Sequence, residues 1–292
     1  MTDFSDRDAR LYLARVAEYP APQIRAYAAG DGVITAASSI RAGTAPMDAQ
    51  REANRSEISI EDDIRRIELG QPLLTPQQPG WPGFHLAALD PADRPFAFWV
   101  RGCASLSELL ARAATITGAR AASSYGTTVA ADFAHTIAVQ GVTVVNGGSY
   151  GIDEAALRGT VAARGRAVVI LPCGVDQPYP TANAHLFESV INNGGLLISE
   201  YPLGTTPTRR RFEARARLLA VLSTVTVIVE AGRRSSAKLV AQVAHQCGHP
   251  VLGVPGAISS ATSVGVHELI DARTARMATS PDAILAAIRS PR

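Results

Sequence analysis

Two groups of residues in this sequence have the types and spacing needed to bind phosphate, and the first is a glycine-rich turn. The turn, Gly147-Gly148-Ser149-Tyr150-Gly151, follows an apolar β-branched run and precedes a helical segment that starts near Asp153. Free backbone N–H groups in such a turn can approach an anion closely, and the helix N-terminus adds positive potential. Tight packing of a strand against a helix is the alternative reason for the glycines. Arg120 and Ser123 follow the preceding apolar run, and their guanidinium and hydroxyl groups favour phosphate binding.

The second group is a concentration of positive charge between Tyr201 and Lys238. This window holds eight basic residues and two glutamates, so its formal charge is +6, whereas the whole chain carries only +2. The basic residues are Arg209, Arg210, Arg211, Arg215, Arg217, Arg233, Arg234 and Lys238. A positive segment in an otherwise acidic chain is typical of a binding site for a polyanion. A solvated helix face is the alternative interpretation.

The residue patterns of common enzyme sites are mostly missing. The sequence has no Gly-x-x-x-x-Gly-Lys-Ser/Thr phosphate loop and no Gly-x-Ser-x-Gly nucleophile elbow. The histidines are scattered without the spacing of metal ligands. Of the carboxylates near the predicted site, Asp153 is interpreted as a helix N-cap and Glu200 as the partner of an arginine. We therefore expect no catalytic residue, no cofactor and no metal.

The composition is that of a folded protein. Hydrophobic residues make up 47% of the 292 residues, which is enough for a sizeable core. No apolar run approaches the roughly 20 residues of a membrane-spanning helix, and the N-terminus is polar, unlike a signal peptide. The cytoplasm is therefore the expected location. Cys103, Cys173 and Cys247 are too far apart to indicate a disulfide framework or a structural metal site.

Short β-branched runs alternate with helical segments from Phe96 onwards, and they predict how these residues are positioned. The predicted strands are 114–117, 142–146, 167–171, 196–199, 225–230 and 251–254, and the predicted helices between them are 124–140, 153–164, 183–192, 212–222 and 235–247. Strands that are apolar on both faces and joined by helices specify an α/β fold, a Rossmann-like, doubly wound, mostly parallel sheet. Ligands bind such sheets at the carboxyl ends of the strands, where Arg120, the glycine turn and Arg209–Arg211 are all predicted to lie. This placement favours a nucleic-acid groove.

The N-terminal part of the chain has a different pattern. Residues 1–70 show a helical period that Pro20 and Pro22 interrupt, which predicts a small helical domain. Residues 71–95 are rich in proline and lack a long period, which predicts a linker. Residues 96–292 then form the Rossmann-like domain that carries the predicted DNA-binding residues.

The loops at the carboxyl edge of the sheet resemble those of the DprA (Smf, DNA-processing protein A) family. The matching stretches are Gly118-x-Arg120-x-x-Ser123-x-Tyr125-Gly126, Gly147 to Asp153, Tyr179-Pro180, Ser199-Glu200-Tyr201-Pro202, Phe212-x-x-Arg215-x-Arg217, Val229-Glu230-Ala231, Pro255-Gly256 and Ser263-x-Gly265. They run in the family's order, and the helical N-terminal domain, which would be SAM-like, and the proline-rich segment are also similar to the family's arrangement. The chain departs from the family pattern at five positions: Asn146, Leu157, Ala216, Ser236 and His267. Because 281–288 is its last predicted helix, it is expected to lack the C-terminal winged helix of many members.

The resemblance implies a protein that binds and protects single-stranded DNA, forms a homodimer and helps to load the RecA recombinase during DNA uptake and recombination. Arg120 and the glycine turn would hold phosphate, the arginines would line the groove, and Phe212, Tyr125 or Tyr150 would stack on a base. The expected DNA-binding residues are Arg120, Ser123, Tyr125, Gly147, Gly148, Tyr150, Gly151, Asp153, Arg209, Arg210, Arg211, Phe212, Arg215, Arg217 and Lys238.

Two functions of other classes stay open at this stage. The first is a nucleotide-processing or nucleotide-sensing protein similar to the cytokinin-activating phosphoribohydrolases. Those enzymes carry a Pro-Gly-Gly-x-Gly-Thr segment followed by a glutamate, whereas the corresponding residues 231–238 here include no carboxylate. The second is a structural adaptor whose helical N-terminal domain binds a protein.

Overall fold

One mixed sheet forms the centre of the molecule. In a computed structural model that describes residues 4–53, 60–70 and 72–289, nine strands join this sheet. The strands are β1 (Leu73–Leu74), β2 (Phe98–Arg101), β3 (Ala113–Thr117), β4 (Thr143–Asn146), β5 (Ala167–Ile170), β6 (Leu196–Ser199), β7 (Val225–Ile228), β8 (Val251–Gly253) and β9 (Arg276–Met277). Their order is β1-β2-β6-β5-β4-β3-β7-β8-β9. β2 runs opposite to the other eight strands, so the predicted α/β, mostly parallel fold is confirmed.

Helices connect the strands and pack on the sheet. They are α1 (Asp6–Val16), α2 (Pro22–Asp31), α3 (Val33–Ala42), α4 (Met47–Glu52), α5 (Glu61–Glu68), α6 (Gly83–Leu86), α7 (Leu106–Leu110), α8 (Ser124–Val139), α9 (Ile152–Ala162), α10 (Ala184–Asn192), α11 (Arg209–Ala214), α12 (Ala216–Val221), α13 (Ala237–Gln246), α14 (Val264–Asp271) and α15 (Pro281–Arg289). The six predicted strands all form. The predicted helix over 212–222 is instead two helices that meet at Arg215. No helix in the described ranges is long and apolar enough to cross a membrane.

The side chains of strands β1 to β8 pack in two apolar clusters, one on each face of the sheet. On β5, Val169 packs in one cluster with Phe187 of α10, while Ile170 packs in the other with Leu218 of α12. Side chains alternate between the faces of a strand, so a strand that is buried on both faces must be apolar throughout. This is why the strands were readable from sequence as short continuous apolar runs.

The N-terminal helices share a core with one face of the sheet. Leu11, Leu13 and Ile24 are fully buried and belong to the same cluster as Val169. The proline-rich segment, interpreted as a linker, contributes β1 to the sheet edge and the short helix α6. Residues 54–59, where part of the helical period was predicted, lie outside the described residues. The proposed domain boundary in this segment stays a prediction.

The strand order places one crevice at the carboxyl ends of β3 and β7. From β3 the chain continues to β4 on one side, and after β6 it returns to form β7 on the other side. The loops that leave β3 and β7 therefore diverge towards opposite faces of the sheet and leave an opening between them. Doubly wound sheets bind their ligands at such a switch point.

Candidate nucleic-acid interface

A groove of about 930 Å³ lies over the carboxyl ends of β3 and β7. Its walls are the loop 118–121 after β3, the loop around 232–236 after β7, and α11 with the residues before it. Three exposed arginines line it: Arg120, Arg209 and Arg234. Glu213 is the one acidic residue among the described residues of its wall, and it pairs with Arg209 at 2.9 Å. The groove therefore has a net positive lining and is open to solvent.

Two N–H groups of the glycine turn beside this groove are hydrogen-bonded to side chains of the protein itself. The Asp153 carboxylate accepts hydrogen bonds from the Ser149 N–H at 3.1 Å and from the Thr117 hydroxyl at 2.7 Å. The Gly148 N–H donates to the Asn146 side chain at 2.9 Å. These two N–H groups are therefore used within the protein, and the expectation that the turn holds phosphate stays a prediction. Gly151 rather than Asp153 is the N-cap of α9. Burial raises the pKa of Asp153, although the Arg215 charge opposes the rise.

Arg215 lies buried beneath the same turn. Its guanidinium donates to the carbonyl oxygens of Gly147 at 2.6 Å and Ile170 at 2.9 Å, and to the Ser149 hydroxyl at 2.8 Å. Burial lowers the pKa of Arg215 to about 10, which leaves the group charged at neutral pH. The expectation that Arg215 lines the groove is wrong because its donors are used inside the protein, where they hold the glycine turn in place.

Arg217 is also buried, and it faces the N-terminal helices. It pairs with both oxygens of Glu200, and its guanidinium lies 3.8 Å from the centre of the Tyr19 ring. Burial alone would raise the pKa of Glu200, but the Arg217 charge brings it below its ordinary value. Glu200 therefore holds an arginine, as predicted, while the expectation that Arg217 lines the groove is wrong.

Two further cations of the basic window are paired elsewhere on the protein. Arg211 forms an ion pair with Glu18 of the N-terminal part at 2.9 Å. Lys238 pairs with Glu268 of α14 at 2.5 Å. Neither lines the groove, and Arg210 is exposed but also lies outside the groove's lining. The formal charge of +6 in this window therefore overstates the positive charge available to a ligand.

Phe212 lines the groove, and cationic side chains contact its ring. The guanidinium groups of Arg120 and Arg215 lie 4.3 and 4.8 Å from its ring centre. Cations therefore already contact the ring that was expected to stack on a base. Tyr179 packs edge-on against Phe212 with 5.9 Å between ring centres and remains 40% exposed in the groove. Tyr125 and Tyr150 are exposed but do not line this groove.

The Glu230 side chain is hydrogen-bonded to two loops beside the groove. Its carboxylate accepts from the Ser123 hydroxyl at 2.5 Å, the Ser123 N–H at 2.9 Å and the Thr262 hydroxyl at 2.9 Å. The Ser123 oxygen also accepts from the Gly126 N–H and so caps α8. Ser123 thus positions the Arg120 loop, and its hydroxyl proton is already donated to Glu230.

Of the expected DNA-binding residues, the structure brings Arg120, Arg209 and Phe212 together in the groove. Sequence reasoning missed Tyr179 and Arg234 as lining residues. Both carried a signal: Tyr179 belongs to a stretch that resembles the family, and Arg234 belongs to the basic window. The sequence did not show how close each loop lies to the crevice at the carboxyl ends of β3 and β7.

Comparison with known proteins gives consistent matches. Residues 72–289 match the family described as DNA recombination-mediator protein A. The putative DNA processing protein DprA of Mycobacterium tuberculosis is 39% identical over 273 residues, which are 89% of this chain and 69% of that protein. Protein Smf of Escherichia coli K12 is 34% identical over 193 residues, which are 66% of this chain and 51% of that protein.

Two solved structures resemble all or most of this chain. The structure of DNA processing protein A from Streptococcus pneumoniae has a TM-score of 0.76 and covers 98% of both chains at 22% identity, which shows a shared fold. DNA processing protein A from Helicobacter pylori has a TM-score of 0.62 at 25% identity and covers 70% of this chain and 91% of its own. That structure was determined to describe how the Helicobacter pylori protein binds single-stranded DNA.

Proposed function

Because the chain belongs to the DNA recombination-mediator protein A family, also called DprA, we propose that it binds single-stranded DNA in the groove over β3 and β7. The observation that carries this proposal is the convergence of Arg120, Arg209 and Arg234 on one open groove. A flexible strand can pass along such a groove and present successive phosphates to the guanidinium groups. The single-stranded DNA binding described for the Helicobacter pylori relative supports the same ligand.

The chemistry of the groove favours binding that tolerates many sequences. Guanidinium groups contact phosphates, which carry no sequence information, and an exposed aromatic ring stacks on any base. Tyr179 supplies that ring beside Arg120 and Arg209. Duplex DNA would bind less well, because its bases are already stacked and cannot reach the tyrosine.

We propose, from family membership, that binding protects incoming single-stranded DNA and helps to load RecA in DNA uptake and recombination. The proposed form is a cytoplasmic homodimer without catalytic activity. The loading step is tested by measuring the rate of RecA-dependent ATP hydrolysis on single-stranded DNA in the presence and in the absence of this protein. Sedimentation of the purified protein tests the dimer.

An electrophoretic titration tests the DNA-binding proposal directly. Labelled single- and double-stranded oligonucleotides of equal length are titrated with the protein at two salt concentrations. We expect tighter binding of the single strand and a marked loss of affinity at the higher salt concentration. Equal affinity for both forms, or an affinity that salt does not change, would contradict the proposal.

A further inference from the structure

A second positively charged recess, of about 300 Å³, lies between the N-terminal helices and the segment that leads into β2. Three arginines line it: Arg10 of α1, Arg25 of α2, and Arg94, which lies just before β2. None of the described residues in its wall is acidic. Trp81 and Phe96 provide aromatic surface in the same wall. This recess is separate from the groove over β3 and β7, because the two share no lining residue.

Arg25 is the residue of this recess that needs a partner. It is only 4% exposed, and its guanidinium donates to the Arg94 carbonyl oxygen at 2.5 Å. Within the described residues, its Nε has no hydrogen-bond acceptor. The group lies 4.9 Å from the Phe96 ring centre and 5.6 Å from that of Tyr19, so aromatic faces rather than water surround it. A buried donor on a charged group costs free energy unless an acceptor satisfies it.

The charge of Arg25 is also not balanced by a carboxylate of its own. The carboxylate that acts most strongly on its charge is that of Glu200, and both oxygens of Glu200 are already bonded to Arg217. Arg94 donates to the neutral carbonyl oxygens of Leu89 and Ala87. Arg10 is the exception, because it pairs with Asp6 at 2.8 Å. The recess therefore holds more positive than negative charge.

We propose that this recess is a binding site for a phosphate group, either as the free ion or as the monoester of a small organic molecule. Arg25 and Arg94 would donate to the phosphate oxygens, since guanidinium groups match the geometry of this anion. The volume is at the lower end of the range for small-molecule sites and exceeds that of phosphate alone. Trp81 and Phe96 could then pack against the organic part of a monoester.

The two tryptophans of the chain give a local readout for this proposal. Trp81 lines the recess, while Trp99 is 1% exposed in β2 and does not line it. Protein labelled with 5-fluorotryptophan gives one fluorine resonance for each, and a Trp81→Phe variant assigns them. The protein is titrated with inorganic phosphate and with AMP at constant ionic strength, and with chloride as the reference anion. We expect a saturable shift of the Trp81 resonance with phosphate or AMP but not with chloride.

Two variants separate this recess from the DNA groove. Arg25→Gln should weaken phosphate or AMP binding by roughly tenfold or more, because a charge-assisted hydrogen bond is lost. Arg234→Gln, in the DNA groove, should leave the Trp81 titration unchanged. The ligand that saturates at the lower concentration identifies the free ion or the monoester as the preferred form. The wild-type titration is decisive by itself: if neither ligand gives a saturable shift, or chloride gives the same shift, the proposal is wrong.

Discussion

Arg217 and Glu200 form an ion pair in the interior, with nitrogen–oxygen distances of 2.6 and 2.8 Å. Arg217 comes from α12 and Glu200 follows β6, and the Arg217 guanidinium also contacts the Tyr19 ring of the N-terminal part. This pair therefore connects three parts of the chain. Its role is to stabilise the packing of α12 and the end of β6 against the N-terminal part of the chain.

Glu200→Gln should destabilise the fold markedly. The change leaves the charge of Arg217 buried without its counter-ion, and breaking one partner of a buried ion pair costs about 3–5 kcal/mol. Urea denaturation followed by circular dichroism measures the loss in the free energy of unfolding. Glu188→Gln is the matched control, because Glu188 pairs with Arg101 on the surface. A surface pair contributes at most about 1 kcal/mol, so equal losses in both variants would contradict this role.

The stabilisation from Glu200 should disappear in acid. Because Arg217 holds the pKa of Glu200 below its ordinary value of 4.5, the folded state favours the ionised carboxylate. The stabilisation is then complete above the pKa of the unfolded state and is lost as the pH falls through the lower pKa of the folded state. The difference in unfolding free energy between wild type and Glu200→Gln should shrink steadily below about pH 4.5. A difference that stays constant from pH 7 to pH 3 would rule this out.

Arg215 and Arg217 show why charge alone did not identify the groove. Arginines are rarely buried unless paired, so a basic window is reasonably expected on the surface. Here α11 ends and α12 begins at Arg215, and both side chains point into the protein to meet Gly147 and Glu200. No spacing rule in the sequence reveals acceptors that come from other loops.

Gly147→Ala should destabilise the protein by overpacking. A Cβ at this position would lie 2.5 Å from the Arg215 guanidinium, which is itself fixed by three acceptors. The expected loss is about 1–3 kcal/mol in the free energy of unfolding, measured by urea denaturation. Gly30→Ala is the control, because a Cβ there meets nothing within 4 Å and the residue lies in α2. That change should be neutral or slightly stabilising, and a similar loss in both variants would argue against the Arg215 contact.

The groove arginines should set the salt dependence of DNA binding. We expect each of three single substitutions to lower the slope of log affinity against log salt for single-stranded DNA by about 0.7. They are Arg120→Gln, Arg209→Gln and Arg234→Gln. The measurement is fluorescence anisotropy of a labelled oligonucleotide at several salt concentrations. Arg112→Gln is the matched control, since Arg112 is exposed directly before β3, at the opposite edge of the sheet. If Arg112→Gln lowers the slope as much as the others, the DNA does not bind at this groove.

The parallel strands that are buried on both faces of the sheet were predictable from the sequence. The parallel strands β3 to β8 could be read as short apolar runs because both clusters need apolar side chains from them. The antiparallel strand β2 was not predicted, and the strands β1 and β9 have only two residues each, which is too short to show a period. The edge where the groove lies was predicted from the carboxyl ends of the parallel strands. That Tyr179 and Arg234 line the groove depends on how their loops fold, which no local pattern shows.

Tyr179 should supply the stacking contribution to DNA binding, separate from the charge of the groove. Tyr179→Ala should weaken binding of single-stranded DNA by about 1–3 kcal/mol and leave the salt slope unchanged, because stacking neutralises no phosphate. Tyr179→Phe should keep most of the affinity. Tyr150→Ala tests one of the three residues for which stacking was predicted from the sequence: Tyr150 is 45% exposed but outside the groove, so its loss should have little effect. If Tyr150→Ala weakens binding and Tyr179→Ala does not, the strand follows the glycine turn instead of the groove over β3 and β7.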